Sequence, residues 1–179
     1  MDLIDCLSNS LGLQGLSRLE QYHRSYMPTN TCLNLICYPK SDNKDRFGQI
    51  KHTDTGTLTL LFSSHPGLEI LSPKSRSWGA VAPIDAHVVV NVGDTLRALS
   101  NNRFYSSIHR VSPVFKDSQK QRFVVGYFFR AENDVVVRYS EGNMMTVRQW
   151  LDQKYDTYKT PDSETVLTGG MEGCLEQSA

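Results

Sequence analysis

His52, Thr53 and Asp54 form the run in this sequence with the clearest chemical potential. Residues two apart on a strand point to the same face, so a strand here sets an imidazole beside a carboxylate, able to grip one ion together. A later histidine, His109, lies in Ser107-Ile108-His109-Arg110-Val111, which reads as the edge of another strand. Two neutral imidazoles and one carboxylate on one face leave positions open on iron(II) for a bidentate ligand and for oxygen; zinc suits the same donors less diagnostically. Alone, the His-x-Asp pair has the blander reading of an exposed surface strand, and a lone His109 that of a structural histidine. The combination is what points to a metal, and no catalytic residue is expected beyond that centre. His23 in an N-terminal helical region, His65 in the His65-Pro66-Gly67 turn and His87 at a strand entrance read as structural or exposed.

Arg122 opens the run Arg122-Phe123-Val124-Val125-Gly126 on the last expected core strand. A guanidinium buried there needs an anion, and the distal end of a dicarboxylate supplies one through a bidentate pair; the alternative is a salt bridge at the rim. Tyr38, which closes the first core strand, offers the same carboxylate a hydroxyl, or else serves as a buried core tyrosine.

The elements that must hold these residues are mostly strands. Leu3, Ile4, Leu7, Leu11, Leu13, Leu16 and Leu19 are spaced closer to a helical than to an alternating repeat, giving one or two short helices over 1–27. After Pro28, short apolar runs broken by turn residues predict strands over 31–38, within 49–62, and over 68–71, 78–82, 87–92, 95–99, 106–111 and 123–129. Close spacing with helices only at the ends argues for an antiparallel double-sheet jelly roll, a double-stranded β-helix in a mainly β fold, rather than βαβ units. A C-terminal helix over 146–155 carries Val147, Trp150, Leu151 and Tyr155 on one face, with Thr146 as N-cap. The expected organisation is a helical segment over 1–30, a jelly-roll domain over 31–135, a helical extension over 136–160 and a disordered tail over 161–179.

A chain of 179 residues buries a core without needing a metal for stability. Its 19 Lys and Arg balance its 19 Asp and Glu without long runs of either sign, which argues against a nucleic acid or membrane-surface partner. Cys6, Cys32, Cys37 and Cys174 show no paired spacing, so they read as free thiols in a reducing compartment, and the cytoplasm is the expected location. No early stretch has the layout of a signal peptide, and no glycine-rich phosphate loop or GxSxG elbow is expected.

The motifs His52-Thr53-Asp54 with Thr57-Leu58-Thr59-Leu60-Leu61, Gly67-Leu68-Glu69-Ile70, Trp78, Asn91-Val92-Gly93-Asp94, Leu99-Ser100-Asn101-Asn102 and His109-Arg110-Val111 keep a consistent order over 33–131. In this the chain resembles the iron(II)/2-oxoglutarate-dependent dioxygenases of the isopenicillin N synthase-like group. Tyr127-Phe128-Phe129-Arg130-Ala131 and the Trp150-Leu151 helix look most like its fungal branch, which modifies secondary metabolites. The resemblance implies His52, Asp54 and His109 as iron ligands, Arg122 and Tyr38 as the 2-oxoglutarate site, O2 as co-reactant and a small organic substrate that is hydroxylated, desaturated or cyclised. It also carries two departures. Val124 stands where the family has a serine that shares the cosubstrate carboxylate, and the region before the first core strand is short, so the chain covers mainly the C-terminal half of a typical member. An exposed apolar sheet face would then favour a dimer or another covering partner. The loops at 40–48 and 112–120 are expected pocket rims. Three other readings stay open at this point: an oxidase on the same scaffold that needs no 2-oxoglutarate, a non-catalytic jelly-roll binding protein, and a cupin-like isomerase with another metal.

Overall fold

The computed structural model describes residues 2–39, 48–112, 121–140, 143–159 and 167–169. Helix α1 (Asp2–Ser10) and two 3-10 turns (Gly15–Ser17, Leu19–Tyr22) precede strand β1 (Cys32–Tyr38). Strands β2 (Gln49–His52), β3 (Leu58–Phe62), β4 (Leu68–Leu71), β5 (Trp78–Val81) and β6 (Val89–Val92) lead into helix α2 (Asp94–Leu99). Then come β7 (His109–Val111), β8 (Arg122–Phe129), the hairpin β9 (Val136–Ser140) and β10 (Asn143–Thr146), and helix α3 (Val147–Thr157). Two four-stranded antiparallel sheets, ordered β1-β8-β3-β6 and β2-β7-β4-β5, face each other as a jelly roll, with β9 and β10 as a separate pair.

Alternation along the strands sorts side chains between the interior and the outer face of the larger sheet. On β8, Arg122 and Val124 are buried while Phe123 is 59% exposed. Part of the outer face is covered by the N-terminal segment: Ile4 and Leu19 are buried against Leu58 and Leu96, with Leu7 and Leu11 packed alongside. The positions 4, 7 and 11 recur at helical spacing, so α1 forms because one of its faces has a sheet to cover. Each fully buried Leu or Ile contributes about 1.5–3 kcal/mol. Elsewhere on that outer face Leu33, Leu35, Phe62, Val90 and Phe123 are exposed.

Three expectations change. The stretch 95–99 is not a strand but most of helix α2, whose buried Leu96 joins the N-terminal cluster. Asn101 and Asn102, both at positive φ, end that helix, and the Asn102 side-chain oxygen accepts from Arg97 Nη1 at 3.0 Å. Within 136–160, a hairpin precedes the helix: Val137 and Tyr139 are buried and Val136 is exposed, the period-2 signature of a half-buried strand. On α3 the residue buried with Val147, Trp150 and Leu151 is Lys154, whereas Tyr155 is half exposed. Thr146 does cap that helix, its hydroxyl accepting from Gln149 N–H at 3.1 Å. In the expected tail, Leu167 and Thr168 are buried; the flanking residues 160–166 and 170–179 lie outside the described residues.

Among the described residues no helix is long and apolar enough to cross a membrane. Cys6, Cys32 and Cys37 are free thiols.

Candidate metal centre

His52 is the last residue of β2 and faces His109, the first of β7, across the ladder. Their rings lie 4.3 Å apart between centroids. Asp54 sits just beyond β2, and each histidine Nε2 is 3.7 Å from Asp54 Oδ1. All three ligand atoms fall within 4.8 Å of one another. Two metal–ligand bonds of about 2.1 Å each reach across the 3.7 Å between each histidine Nε2 and Asp54 Oδ1.

The hydrogen bonds around these groups leave the right atoms for a metal. Each Nδ1 lies by a carbonyl oxygen, Ile50 O at 2.8 Å for His52 and Ser107 O at 3.0 Å for His109. A carbonyl only accepts, so Nδ1 carries the proton in both rings and the Nε2 lone pairs point at Asp54. Asp54 Oδ2 accepts from Thr59 Oγ1 at 2.6 Å and from Asn91 Nδ2 at 2.7 Å, which leaves Oδ1 toward the histidines. Burial, then the neighbouring His109 imidazole, hold His52 down at about 4, against the pull of Asp54. Burial pushes the Asp54 carboxyl up but is outweighed by His109, His52, Asn91 and Thr59, which hold it at about 2. At neutral pH the set is therefore an anionic carboxylate with a neutral His52, the protonation a divalent cation requires. Thr59 and Asn91 had stood only as members of sequence motifs; their role in fixing Asp54 is visible only once β3 and β6 pair, Thr59 opposite Asn91.

Backbone contacts hold the loop that carries Asp54. Asp94 N–H donates to Asp54 O at 2.7 Å, and Thr57 N–H to Phe129 O at 2.9 Å. Gly93 passes so close to Gly56 that a Cβ there would lie 2.2 Å from Gly56 O, so only glycine fits. Behind the loop, the fully buried Lys154 of α3 donates to Thr53 O (2.7 Å), Thr53 Oγ1 (2.6 Å) and Asp94 Oδ2 (2.7 Å). No pattern near Lys154 in the sequence announces this contact.

Tyr38 and Arg122 are directly paired across β1 and β8, and the Arg122 guanidinium carbon lies 5.0 Å from the Tyr38 ring centre. Burial lowers the Arg122 pKa, with Tyr38 opposing, and raises that of the Tyr38 hydroxyl, with Arg122 opposing. A cavity of about 420 Å3 between the sheets is lined by His52, Asp54 and His109 and also by Tyr38, Arg122 and Val124. The five residues singled out in the sequence thus line one space, and Val124 faces it two residues beyond Arg122. His23 is buried and structural, its Nδ1–H donating to Leu19 O at 2.7 Å and its Nε2 accepting from Thr57 Oγ1 at 2.8 Å. Among the expected pocket rims, 40–47 and 113–120 lie outside the described residues.

A facial His-Asp-His set opening onto an internal cavity of a jelly roll defines a mononuclear metal oxygenase scaffold. Comparison with known proteins supplies the family: the model of the 2OG-Fe(II) oxygenase superfamily matches residues 29–131. The chain belongs to that superfamily, whose members use iron(II) and 2-oxoglutarate. It is 42% identical over 176 residues to the 2-oxoglutarate-dependent dioxygenase iboH of Amanita muscaria, covering 94% of this chain and 85% of that protein. To the oxidoreductase vrtI of Penicillium aethiopicum it is 41% identical, covering 94% of this chain but 42% of the relative. Three further fungal relatives are spanned over 52% to 55% of their length, so the chain spans about half of several curated relatives it matches. Among solved structures, the crystal structure of JOX2 in complex with 2OG, Fe and JA superposes with a TM-score of 0.72 at 27% identity, covering 84% of this chain and 46% of that one.

Proposed function

We propose that His52, Asp54 and His109 hold iron(II), that Arg122 and Tyr38 receive the distal carboxylate of 2-oxoglutarate, and that the protein oxidises a small organic substrate. The observation that carries this is the single cavity lined by the His-Asp-His set and by the Arg122–Tyr38 pair. The outcome is a hydroxylation, desaturation or cyclisation, and fungal secondary metabolism is the setting that fits the fungal relatives. Iron and 2-oxoglutarate together supply, when bound, the oxidising power to break an unactivated C–H bond, with O2 consumed and succinate and carbon dioxide released.

The chain's own residues bind, orient and shield. Ile50 O and Ser107 O orient the two imidazoles, Thr59 and Asn91 fix the carboxylate, and Arg122 supplies the cation for the dicarboxylate. Leu61, Leu68, Val81 and Val124 give the same cavity apolar walls.

Val124 favours one second reading, an oxidase that takes all its electrons from substrate. Succinate formation by the iron-loaded protein, dependent on O2 and 2-oxoglutarate and abolished in His52→Ala and Asp54→Ala, is the expected result. Turnover without any 2-oxo acid would establish the oxidase instead. Anaerobic iron titration gives the deeper check: if both alanine variants, equally folded, bind iron as the parent does, the metal assignment is wrong.

We further place the protein in the reducing cytoplasm, which suits its free thiols. A second copy or another partner covering Leu33, Leu35 and Phe123 on the outer face would be seen as a concentration-dependent mass in sedimentation.

A further inference from the structure

The metal centre opens on a second side. A cavity of about 410 Å3, adjoining the one that reaches Arg122, shares His52, Asp54, Gln49 and Phe128 with it, and its own wall includes Arg130, Lys154, Tyr155 and Tyr158. Its size is that of a pocket for a small organic molecule. Tyr158 stands edge-on to His52, 6.5 Å between ring centres, and 6.4 Å from Tyr155, so aromatic rings flank the approach to the candidate metal.

Arg130 is the unusual wall residue. It is only 5% exposed, yet among the described residues its side chain meets neutral groups: Nη1 donates to Asn30 O and to Cys32 Sγ, and the guanidinium carbon lies 5.6 Å from the Phe128 ring centre. Its Nε is buried without a hydrogen-bond partner, and among the described residues no carboxylate lies within ion-pair distance of it. By contrast, the other buried cation on this wall, Lys154, is fully engaged by Thr53 and Asp94. A buried charge without a countercharge is costly unless something supplies one. Among the described residues the acidic wall residue of the cavity is Asp54, which is already turned to the two histidines.

We infer that this second cavity is the substrate pocket, and that Arg130 selects an organic carboxylate whose apolar or aromatic body lies against Tyr155 and Tyr158. The inference deepens the proposed function and rests on it for the reaction done at the metal, but the anion site stands on Arg130 alone. A carboxylate end paired with Arg130 leaves the rest of the molecule between the tyrosines and the His52–Asp54 edge of the centre. Substrate and cosubstrate carboxylates are then sorted by two different arginines, Arg130 and Arg122, on two sides of one centre.

The probe is phenylacetate, with phenylacetamide as its neutral isostere, followed by ligand-observed saturation-transfer NMR on the full chain. It is measured metal-free and again loaded with cobalt(II) and 2-oxoglutarate. The parent is expected to prefer the carboxylate about tenfold or more, the usual consequence of one charge-assisted contact. Arg130→Gln should lose that preference, Arg130→Lys should keep most of it, and Arg122→Gln should leave it intact. Should Arg130→Gln not fold, intermolecular NOEs from the probe ring to the Tyr155 and Tyr158 rings in the parent decide the matter. Equal binding of acid and amide, preference surviving in folded Arg130→Gln, loss of preference in Arg122→Gln or on adding 2-oxoglutarate, or absent NOEs would each overturn the inference. Failure to bind cobalt(II) or 2-oxoglutarate with the preference retained would instead overturn the proposed function and leave the anion site standing.

Discussion

Lys154→Met tests whether the C-terminal helix fixes the metal-bearing loop. The Lys154–Asp94 pair is 2.7 Å long, with side chains 1% and 0% exposed, and all three ammonium protons are committed to Thr53 and Asp94. Removing one member of such a pair leaves the other charge buried and costs about 3–5 kcal/mol. Asp94 would retain Thr53 Oγ1 at 3.0 Å and Ser106 Oγ at 2.9 Å, so the lower half of that range is the better expectation. For a chain of this size each kcal/mol moves Tm by about 2–4 °C, so Tm should fall by roughly 6–16 °C. Cobalt(II) affinity should fall by up to about tenfold, because the Thr53 backbone between two ligands loses its anchor. Thermal melts read the first effect and anaerobic cobalt titration the second. The double variant Asp94→Asn with Lys154→Met removes both charges and should recover part of the lost Tm. A Tm drop below about 2 °C in Lys154→Met, or a double variant less stable than the single one, would refute the reasoning.

Further perturbations have equally definite outcomes. Burial lowers the His23 pKa from 6.5, so the unfolded chain takes up the proton first. Its contribution to stability is complete above about pH 6.5 and is lost progressively as pH falls below that value toward the lower folded one; Tm should decline as pH falls below about 6.5, less steeply in His23→Phe. Gly93→Ala should leave little folded protein, since its Cβ would meet the Gly56 backbone at 2.2 Å and no side chain can move aside; circular dichroism of purified material checks this. Val124→Ser restores a hydroxyl beside Arg122 in the cavity and should tighten 2-oxoglutarate binding about fivefold in calorimetry, an unchanged Kd counting against the cosubstrate placement.

What could be read from the sequence was what depends on short range. His52 and Asp54 share a face because strand geometry demands it, and β4 or β8 announce themselves by composition. Helix α2 misled because Thr95-Leu96-Arg97-Ala98-Leu99 alternates like a strand; the counter-signals were Asp94 in its first turn and Arg97 in its last. The hairpin β9–β10 gives only a short signal in the sequence, Val135, Val137 and Tyr139 alternating with polar or exposed partners, beside the stronger pattern of the helix that follows. Lys154 was out of reach for another reason. It occupies an apolar-face position of α3, and only the tertiary meeting of α3 with Thr53 and Asp94 shows why a cation belongs there. Asn91 likewise acquires its purpose only when β6 is laid beside β3.

The register of β2 on β7 has a consequence for how long the protein survives. Among the described residues the two strands pair at two positions, Gln49 with Val111 and His52 with His109, with an irregularity between them, and Gly48 N–H donates to Val111 O just ahead of β2. An ion gripped by both imidazoles is therefore a cross-link at one of the few fastenings described between these strands. Ligand bound only to the native state protects it by mass action, about 2.7 kcal/mol at a hundredfold excess over Kd. Iron supply would then govern the protein's turnover by proteases as well as its chemistry, and a chelator should expose β2 to cleavage before the rest of the jelly roll opens.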